Sequence, residues 1–482
     1  MLTRLRVQNF KNLRDVEVYF GPLTVIAGPN GVGKSNLLDA IQFLGNTAAM
    51  PLTQAALKVR SKDGTNTDVR KLFFADGGEQ PQNMKFEVDL ILSQFAQDDL
   101  GQTGDAGSRF VTYSIEIAWS NEPLSPSPLK IVSENLHSKS LADLPVPFVQ
   151  LRAELPMANA NLPYIFSDEP YKFGILIEAQ KLPTPIPSNF DEKSSSVLSR
   201  VNAGGYPTAT VAQQELRSWR AFQLQPEQLM TSSQLLGPSH LSQDGSFLPA
   251  TFFRLAKEIN PGLMGKREDF NNPVYRRAIA RLQLLVPDLE ALWVMLDESQ
   301  TTLYLRVEDR WGNVFTPASL SEGTLRLIAL SALAEDESVK SFISIEEPEN
   351  GFHPRQMHQV LSVLRNISDQ SSDVLRQVLV STHSPSLVAC SPEDSLLLAS
   401  QEPKAGIDKT PNSFRLSCLS GTWRASLERQ NIASKGHILS FLGVIPNPAA
   451  LTEDDLEILR GPDGHAVFER NEFLEFKLQS AI

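Results

Sequence analysis

The residues from Gly28 to Ser35, GPNGVGKS, have the types and spacing of a phosphate-binding loop. Its glycines let the backbone approach phosphate oxygens, and the backbone amides at the start of the following helix point at the anion. Lys34 can reach the outer phosphates, and the Ser35 hydroxyl is a ligand that suits Mg²⁺. The pattern predicts a nucleotide site with contacts from Asn30, Gly31, Gly33, Lys34, Ser35 and Asn36.

A second set of candidate catalytic residues follows the hydrophobic segment FISI, where the sequence continues EEPEN. A carboxylate at the end of a strand that faces the phosphates suits a magnesium ligand, and a second carboxylate suits a base that polarises the attacking water. Glu346 is therefore the candidate metal ligand, together with Ser35, and Glu347 is the candidate catalytic base. Two acidic residues after a strand are also common on protein surfaces, so this assignment depends on the motifs around it.

The hydrophobic pattern predicts the elements that position these residues. The run LTVIAG predicts a buried strand that ends at Gly28, and residues Asn36 to Leu44 have the Leu and Ile spacing of a helix. The segments FISIEE and RQVLVSTH predict further buried strands. Strands and helices that alternate after such a loop predict a largely parallel α/β sheet with its ligand at the carboxyl ends of the strands. MKFEVDLIL and RFVTYSIEIAW predict an additional antiparallel layer.

The chain of 482 residues is too long for one hydrophobic core, so we expect several subdomains. The sequence predicts an α/β head in two halves, residues 1–120 and 286–400, which an insertion over residues 121–285 separates. The Pro- and Ser-rich stretch from Pro123 to Ser196 predicts loops and short elements, and residues Val211 to Asp297 predict a mostly helical subdomain. Residues 401–482 predict a small α-rich region.

The C-terminal region contains the clearest charge asymmetry of the sequence. Residues from Glu453 to Glu475 include eight acidic side chains against two arginines. This composition is typical of a solvated helical face, and it would also suit a docking surface for a basic partner.

Composition excludes some classes of protein. The chain has 41% hydrophobic and 21% charged residues, a net charge of −12 and two cysteines. No segment resembles a spanning helix or a secretory signal, and two cysteines are too few for a disulfide framework. We therefore expect a cytoplasmic protein without a membrane partner. The net charge argues against a protein that coats DNA but leaves open a local basic groove. Helical arginines could line such a groove or occupy solvated faces: Arg217, Arg220, Arg276, Arg277 and Arg281.

Two further motifs occur in an informative order along the chain. The segment SLSEGTLRL precedes the acidic strand, and His383 in VSTHSP follows it. Taken alone, Ser321 would be interpreted as a helix N-cap, and His383 as a structural histidine. After the start LRVQNFKNL, the motifs follow in the order phosphate loop, SLSEGT segment, EEPENGFHP and histidine. This order resembles that of the prokaryotic ABC-type ATPases of the SMC/RecF/OLD-like group.

This resemblance covers about residues 1–120 and 285–400, and it implies ATP and Mg²⁺ as cofactors. It implies that Ser321 and Gly323 contact the γ-phosphate of ATP bound to a second subunit. It also implies that His383 contacts the γ-phosphate and senses hydrolysis. Asn350 and His353 lie in the segment that crosses between subunits in this group, although a structural role for His353 is equally compatible.

Two features depart from the family pattern. Glu346 stands where many ABC-type ATPases have Asp, and its additional methylene lengthens the reach to Mg²⁺. No glutamine can be assigned to the Q-loop from the sequence; Gln80 and Gln82 lie at a plausible distance after the first helix.

The resemblance implies a nucleotide-driven switch, in which two heads of a homodimer or larger homo-oligomer close around two ATP molecules. The expected roles are anti-phage defence or DNA maintenance, with an effector protein such as a nuclease or toxin as partner and DNA as a further candidate.

The sequence leaves two alternatives to this switch. In the first, the chain has nuclease activity of its own, as in OLD-type proteins, for which Asp454 and Asp455 are the candidate ligands; they follow Thr452 in an apparent helix start. In the second, the chain is a transport ATPase, which the long insertion before Ser321 disfavours.

Overall fold

The structure, a computed structural model, describes residues 1–59, 68–75, 82–120, 128–155, 161–170, 172–186, 194–299, 301–339, 341–368, 376–402 and 413–433. The acidic segment from Glu453 to Glu475 and the candidate Gln80 lie outside these residues. None of the helices in the described ranges is long and apolar enough to cross a membrane.

The elements are numbered in chain order. The first part of the chain forms β1 (Leu2–Phe10), β2 (Leu13–Tyr19), β3 (Leu23–Ala27), α1 (Lys34–Thr47), α2 (Leu52–Leu57), β4 (Asn83–Ile91), β5 (Phe95–Gln97), β6 (Thr103–Asp105), β7 (Phe110–Trp119), β8 (Leu129–Ser138), β9 (Pro163–Glu169), β10 (Lys172–Ile177) and β11 (Leu182–Pro185). The middle part forms α3 (Pro207–Arg217), β12 (Arg220–Phe222), α4 (Pro226–Leu229), β13 (Ser233–Gln234), α5 (Leu248–Ile259), α6 (Pro273–Gln283), β14 (Leu289–Leu296), β15 (Thr302–Asp309) and β16 (Val314–Phe315). The last part forms α7 (Glu322–Glu335), β17 (Ser341–Glu346), α8 (Met357–Ile367), β18 (Arg376–Thr382), α9 (Pro385–Cys390), β19 (Leu396–Glu402), β20 (Ser413–Leu419) and β21 (Asn431–Ala433).

A seven-stranded sheet in the described residues holds the phosphate loop and the acidic strand. Its order is β12-β17-β18-β3-β19-β20-β21, and the first five of these strands are parallel. All residues of β3 and β18 are buried because layers cover both faces of the sheet. Since β17, β18 and β3 run in parallel, the residues that follow them meet at one edge.

Alternate residues of this sheet pack into two different cores. Ile26 and Leu379 pack with residues of β1, β4 and β7, whereas Val25 and Val378 pack with residues of α5, α6, α7 and α8. This alternation follows from the period of two residues in a strand. The sheet therefore lies between an antiparallel layer and a helical layer.

The antiparallel layer has the order β11-β10-β9-β8-β7-β4-β1-β2 within the described residues. Helix α1 packs against it through Phe43, whose ring lies 5.8 Å from that of Phe10 and 5.5 Å from that of Phe86. Such aromatic contacts fix the helix on the sheet. The predicted α/β class with an antiparallel layer is confirmed.

The insertion contains more strand structure than the sequence predicted. Strands β8 to β11 lie in the Pro- and Ser-rich stretch that predicted loops, and they extend the antiparallel sheet. The prediction of helix through Asp297 is wrong for Leu289–Leu296, which pairs with β15 as a hairpin. Pro287 separates this strand from α6 because proline lacks the amide that would continue the helix.

The described part of the predicted α-rich region, residues 401–402 and 413–433, contains strands instead. Strand β20 pairs with β19 antiparallel, and β21 pairs with β20 parallel. The alternating pattern of SFRLSCL buries Phe414, Leu416 and Cys418, which is the period of a strand with one covered face.

Candidate nucleotide-binding and hydrolysis site

The phosphate loop connects β3 to α1, as the sequence predicted. Gly31 and Gly33 have φ angles of 81° and 118°, which only glycine adopts readily. The Lys34 ammonium group donates to the carbonyl oxygens of Gly28, at 2.6 Å, and Pro29, at 2.8 Å. This geometry holds Lys34 inside the loop, where phosphate oxygens can replace the two carbonyls as acceptors.

Burial lowers the pKa of Lys34, which is 7% exposed, while the acidic residues after β17 act in the opposite direction. A partly desolvated ammonium group interacts strongly with an incoming anion, because the surrounding dielectric is low. The loop, the start of α1 and Lys34 together fit a nucleoside triphosphate. Asn30 lies within this loop and Asn36 directly follows it; contact of both with the nucleotide stays a prediction.

Ser35 and Glu346 are adjacent, although they lie far apart in the sequence. The Ser35 hydroxyl donates to a carboxylate oxygen of Glu346 at 3.1 Å. Glu346 is the last residue of β17, and Ser35 lies in the first turn of α1. Two oxygen ligands at this separation fit Mg²⁺, which binds one or two protein oxygens along with phosphate oxygens.

Glu347 follows the end of β17 in an unusual backbone conformation. Its φ angle is 45°, in the left-handed region that non-glycine residues rarely adopt. Its carboxylate lies 2.9 Å from the Nδ1 of His383 and accepts a hydrogen bond from the Asn350 side chain at 2.9 Å. Backbone strain of this kind is concentrated at functional sites. The arrangement can orient a carboxylate toward a water molecule.

Glu349 is a buried neighbour that the sequence did not single out. One of its carboxylate oxygens accepts a hydrogen bond from Thr382, and the other has no partner among the described residues. The nearer oxygen lies 4.0 Å from Nδ1 of His383. Burial raises the pKa of Glu349. The only sequence feature that points to Glu349 is its place as the third Glu of EEPEN. The sequence does not indicate which of these three carboxyl groups is buried.

The SLSEGT segment forms the start of α7, with Ser321 as its exposed N-cap. The Ser321 hydroxyl accepts a hydrogen bond from the Thr324 amide at 3.2 Å. Gly323 is buried against the backbone of Gly351. The packing joins the SLSEGT segment to the PENGFHP segment that follows Glu347.

His353 caps a short helical turn. Its Nδ1 accepts a hydrogen bond from the Arg355 amide at 3.2 Å, and its own amide donates to the Gln356 side chain at 2.9 Å. Of the two interpretations of His353, these contacts support the structural one. Asn350, in contrast, contacts Glu347 directly.

Two further side chains hold the phosphate loop from the outside. The Asn12 amide group donates to the Val32 carbonyl at 2.9 Å and accepts from the Asn36 side chain at 2.8 Å. On the other side of the loop, the Gln401 side chain donates to the Gly31 carbonyl at 3.1 Å. Sequence reasoning missed both residues, although Asn12 lies in the NFKNL turn that contributed to the resemblance.

The geometry favours Gln223 as the Q-loop glutamine. Gln223 follows β12, the neighbour of β17, and lines a pocket of about 180 Å³ together with Glu346. Gln82 is exposed and immediately precedes β4 in the antiparallel sheet, so its position does not fit this role. The segment WRAFQLQ predicted a helix, which concealed the strand that positions Gln223.

Two family models match parts of the chain. Residues 1–93 match the AAA ATPase domain, and residues 182–389 match a family described as "AAA domain, putative AbiEii toxin, Type IV TA system". The first match contains the phosphate loop, and the second contains Ser321, Glu347 and His383.

Short segments are similar to characterised proteins. The chain is 52% identical over 44 residues to an OLD nuclease of Thermus scotoductus, which is 9% of this chain and 8% of the relative. It is 46% identical over 56 residues to the DNA replication and repair protein RecF of Magnetococcus marinus, 11% of this chain and 15% of the relative. It is 38% identical over 87 residues to the structural maintenance of chromosomes protein 1 of Schizosaccharomyces pombe, 18% of this chain and 6% of the relative.

Two SMC head domains are among the solved structures found by fold comparison. The SMC head bound to the C-winged-helix domain of ScpA has a TM-score of 0.47 and 14% identity, over 87% of this chain and 98% of that one. The SMC head domain of Thermotoga maritima has a TM-score of 0.37 and 12% identity, over 87% of this chain and 99% of that one.

Proposed function

We propose that this chain, which belongs to the SMC/RecF/OLD-like group, binds and hydrolyses ATP and that the nucleotide drives closure of two copies of the chain. One observation carries this proposal. The Ser35–Glu346 pair and the Glu347–His383 pair converge at the carboxyl edge of the parallel sheet.

In the proposed reaction, the loop amides and Lys34 hold the outer phosphates, and Ser35 and Glu346 hold Mg²⁺. When bound, the metal ion neutralises charge on the phosphates. Glu347 accepts a proton from the attacking water. His383 orients the Glu347 carboxylate through Nδ1, so that its contact with the γ-phosphate would use Nε2. These roles follow from the contacts described above and from general phosphoryl-transfer chemistry.

The site is completed by a second copy of the chain. Ser321 and Gly323 stand at the start of α7, and a helix N-terminus with an exposed serine suits an anion. In the closed dimer, these residues contact the γ-phosphate held by Lys34 of the other copy. Asn350 links the two sites because it contacts Glu347 and belongs to the segment that packs on Gly323.

The switch acts through a partner in anti-phage defence or DNA maintenance. The similarity to a family described as a putative toxin and to proteins named OLD nuclease and RecF supports this assignment. An effector protein, such as a nuclease or toxin, is the proposed partner. The matched segments cover 8% and 15% of the first two relatives, so the partner assignment extends beyond the aligned residues.

No contact in the described residues favours the alternative function, an intrinsic nuclease activity. Those residues contain no group of three or more His, Cys, Asp or Glu side chains arranged to hold a metal ion. Asp454 and Asp455 lie outside them. A plasmid-cleavage assay with Mg²⁺ or Mn²⁺ tests for this activity. Cleavage that persists in the Glu347→Gln protein would show that it is separate from ATP turnover.

The concentration dependence of ATP turnover tests the switch. Because each site needs two copies of the chain, turnover per chain should fall on dilution in parallel with the dimer fraction measured by light scattering. Constant turnover per chain in samples that have become monomeric would refute the shared site. Binding of a fluorescent ATP analogue to the monomer serves as the control that the phosphate loop remains intact.

A further inference from the structure

Glu349 has a buried carboxyl group in the candidate site that the proposed reaction does not use. Its side chain is 5% exposed, whereas those of Glu347 and His383 are 34% and 41% exposed. Its Oε2 atom has no hydrogen-bond partner within the described part of the chain. A buried polar atom without a partner destabilises the folded state. Stability alone therefore does not explain why a glutamate stands at this position.

The other carboxylate oxygen of Glu349 belongs to a short series of hydrogen bonds. The Ser384 amide donates to the Thr382 hydroxyl oxygen at 3.0 Å, and the Thr382 hydroxyl donates to Oε1 of Glu349. A hydroxyl group has one proton to donate and also accepts through its oxygen. Because the oxygen of Thr382 already accepts from an amide, its proton points at Glu349. The hydrogen bonds thus run in one direction, from Ser384 through Thr382 to Glu349.

This series of hydrogen bonds encloses His383. Thr382 is the last residue of β18 and Ser384 is the N-cap of α9, so His383 is the residue between them. The bond from Ser384 to Thr382 closes the turn at His383, and Glu349 anchors that turn to the segment after β17. Oε1 of Glu349 lies 4.0 Å from Nδ1 of His383, which is beyond hydrogen-bonding distance. Glu349 therefore acts on His383 through Thr382.

The same contact sets how His383 meets the candidate base Glu347. Glu347 and Glu349 belong to one turn, in which the Asn350 amide donates to the Glu347 carbonyl at 3.1 Å. The Glu347 carboxylate lies 2.9 Å from Nδ1 of His383. The Glu347–His383 pair and the Glu349–Thr382 hydrogen bond thus both join this turn to the end of β18. The second of these is buried, and the low local dielectric strengthens it.

We propose that Glu349 is a positioning residue for ATP hydrolysis, which holds His383 against Glu347 through the Thr382 hydroxyl. This role rests on the proposed function, because it belongs to the same reaction. Groups that are already in place when water attacks lower the barrier of the chemical step without strengthening the binding of substrate. Loss of the hydrogen bond between Glu349 and Thr382 should therefore lower kcat and leave the affinity for ATP unchanged.

Thr382→Val tests this hydrogen bond. Valine keeps the branched shape that suits a strand and the backbone carbonyl of residue 382, which accepts from the Gly28 amide at 3.2 Å, but it has no hydroxyl. The kcat for ATP should fall at least tenfold, because misplacement near the reacting atoms is costly, while the Kd of a fluorescent ATP analogue changes less than twofold. Glu349→Gln should keep kcat within threefold of normal, since its amide oxygen still accepts from Thr382.

Thr208→Val is the matched control for this substitution. The Gly107 amide donates to the Thr208 hydroxyl oxygen at 2.9 Å, and that hydroxyl donates to the Glu178 carboxylate at 2.6 Å. The same series of amide, threonine and glutamate thus occurs beside β10, in the antiparallel sheet. Thr208 and Thr382 are both fully buried. The kcat of Thr208→Val should stay within twofold of normal, and urea unfolding of both valine variants compares their stability.

Combination with His383→Ala separates positioning from a general structural role. His383→Ala alone should lower the single-turnover rate at least tenfold. Because Thr382 acts through His383, adding Thr382→Val to His383→Ala should lower this rate by less than a further twofold. A further loss of tenfold in the His383→Ala background would show that Thr382 acts independently of His383 and would overturn the proposal.

Other outcomes would also overturn the positioning role. Glu349→Gln with a loss as large as that of Thr382→Val would assign the effect to the acid group of Glu349 and not to its hydrogen bond. If Thr382→Val does not fold, Glu349→Met, which removes the acceptor instead of the donor, provides the same comparison. Turnover that is lost in Glu347→Gln but normal in folded Thr382→Val would refute this inference alone. Absence of turnover in the unmodified protein would refute the proposed function, and this role with it.

Discussion

Gly323 and Gly351 are in direct backbone contact, and neither position can accept a side chain without a shift. A Cβ atom on Gly323 would lie 2.5 Å from the Gly351 carbonyl oxygen, and one on Gly351 would lie 2.8 Å from the Gly323 amide nitrogen. Gly351 also has a φ angle of 81°. This contact fixes the start of α7, with Ser321, to the segment that follows the candidate base Glu347.

Gly323→Ala should separate these two segments. The added methyl group has no space, and overpacking of this kind costs about 1–3 kcal/mol. We expect ATP turnover to fall at least tenfold, while the affinity for a fluorescent ATP analogue, which depends on the phosphate loop of the same chain, stays within twofold. Gly205→Ala is the control, because a Cβ there would meet only the Asn202 side chain at 3.8 Å. Unchanged turnover in Gly323→Ala would contradict the role of this contact.

Glu347→Gln should abolish hydrolysis but preserve ATP binding. The amide cannot accept a proton from water, and loss of a general base typically lowers the rate by a factor of about 10²–10⁴. Because ATP is then not consumed, the dimer should accumulate, which light scattering with ATP and Mg²⁺ can detect. Glu298→Gln, at an exposed residue, is the matched control. A Glu347→Gln protein that still hydrolyses ATP at more than a tenth of the normal rate would exclude Glu347 as the base.

Gln223 and Gln82 can be distinguished by the same substitution at each position. Gln223→Ala should lower turnover at least tenfold and raise the Mg²⁺ concentration needed for half-maximal activity, since Gln223 and Glu346 line the same pocket. Gln82→Ala should leave both quantities unchanged. If Gln82→Ala lowered turnover and Gln223→Ala did not, Gln82 would be the Q-loop glutamine, as its distance from the first helix in the sequence suggests.

Glu134 should make stability depend on pH. It is fully buried and accepts hydrogen bonds from the amides of Val197 and Leu198 and from Tyr113, and burial raises its pKa to about 7. The folded protein therefore binds a proton more tightly than the unfolded chain. The contribution of Glu134 to the free energy of unfolding falls as pH rises from about 4.5 to about 7, by roughly 3 kcal/mol, and then levels off.

Urea unfolding between about pH 5 and pH 8 measures this effect. Relative to Glu134→Gln, which has no ionisable group at this position, the unmodified protein should lose stability as the pH rises. Glu298→Gln should show the same pH dependence as the unmodified protein. A constant difference between the unmodified protein and Glu134→Gln across this range would show that Glu134 does not titrate there.

The sequence predicted the parts of the site that are encoded locally. The phosphate loop, Glu347 and His383 each follow a short apolar strand, and Glu346 ends one, so their position at a sheet edge could be inferred from the pattern around them. Gln223, Gln401 and Glu349 could not be found in this way, because their place depends on the order of strands in the sheet and on burial. Gln401, for example, contacts Gly31 only because β19 lies beside β3.

The strands of the insertion were missed for a related reason. Strands β9 and β11 contain prolines, as in Pro163 and Leu182–Pro185, and proline in a strand argues against that structure when the sequence is considered alone. β11 is the edge strand of the antiparallel sheet, where proline is tolerated. The edge position is a property of the whole sheet and is not visible in the local pattern.

Mixing two inactive variants tests most directly whether the site is shared between two chains. Lys34→Ala removes the phosphate-binding lysine, and Ser321→Arg blocks the proposed contact with the γ-phosphate, so each protein alone should be inactive. In an equal mixture, half of the dimers contain both chains, and one of their two sites has both Lys34 and Ser321. We therefore predict recovery of about a quarter of the normal turnover per chain. A mixture with no more activity than its separate components, although light scattering shows that dimers form, would contradict the shared site.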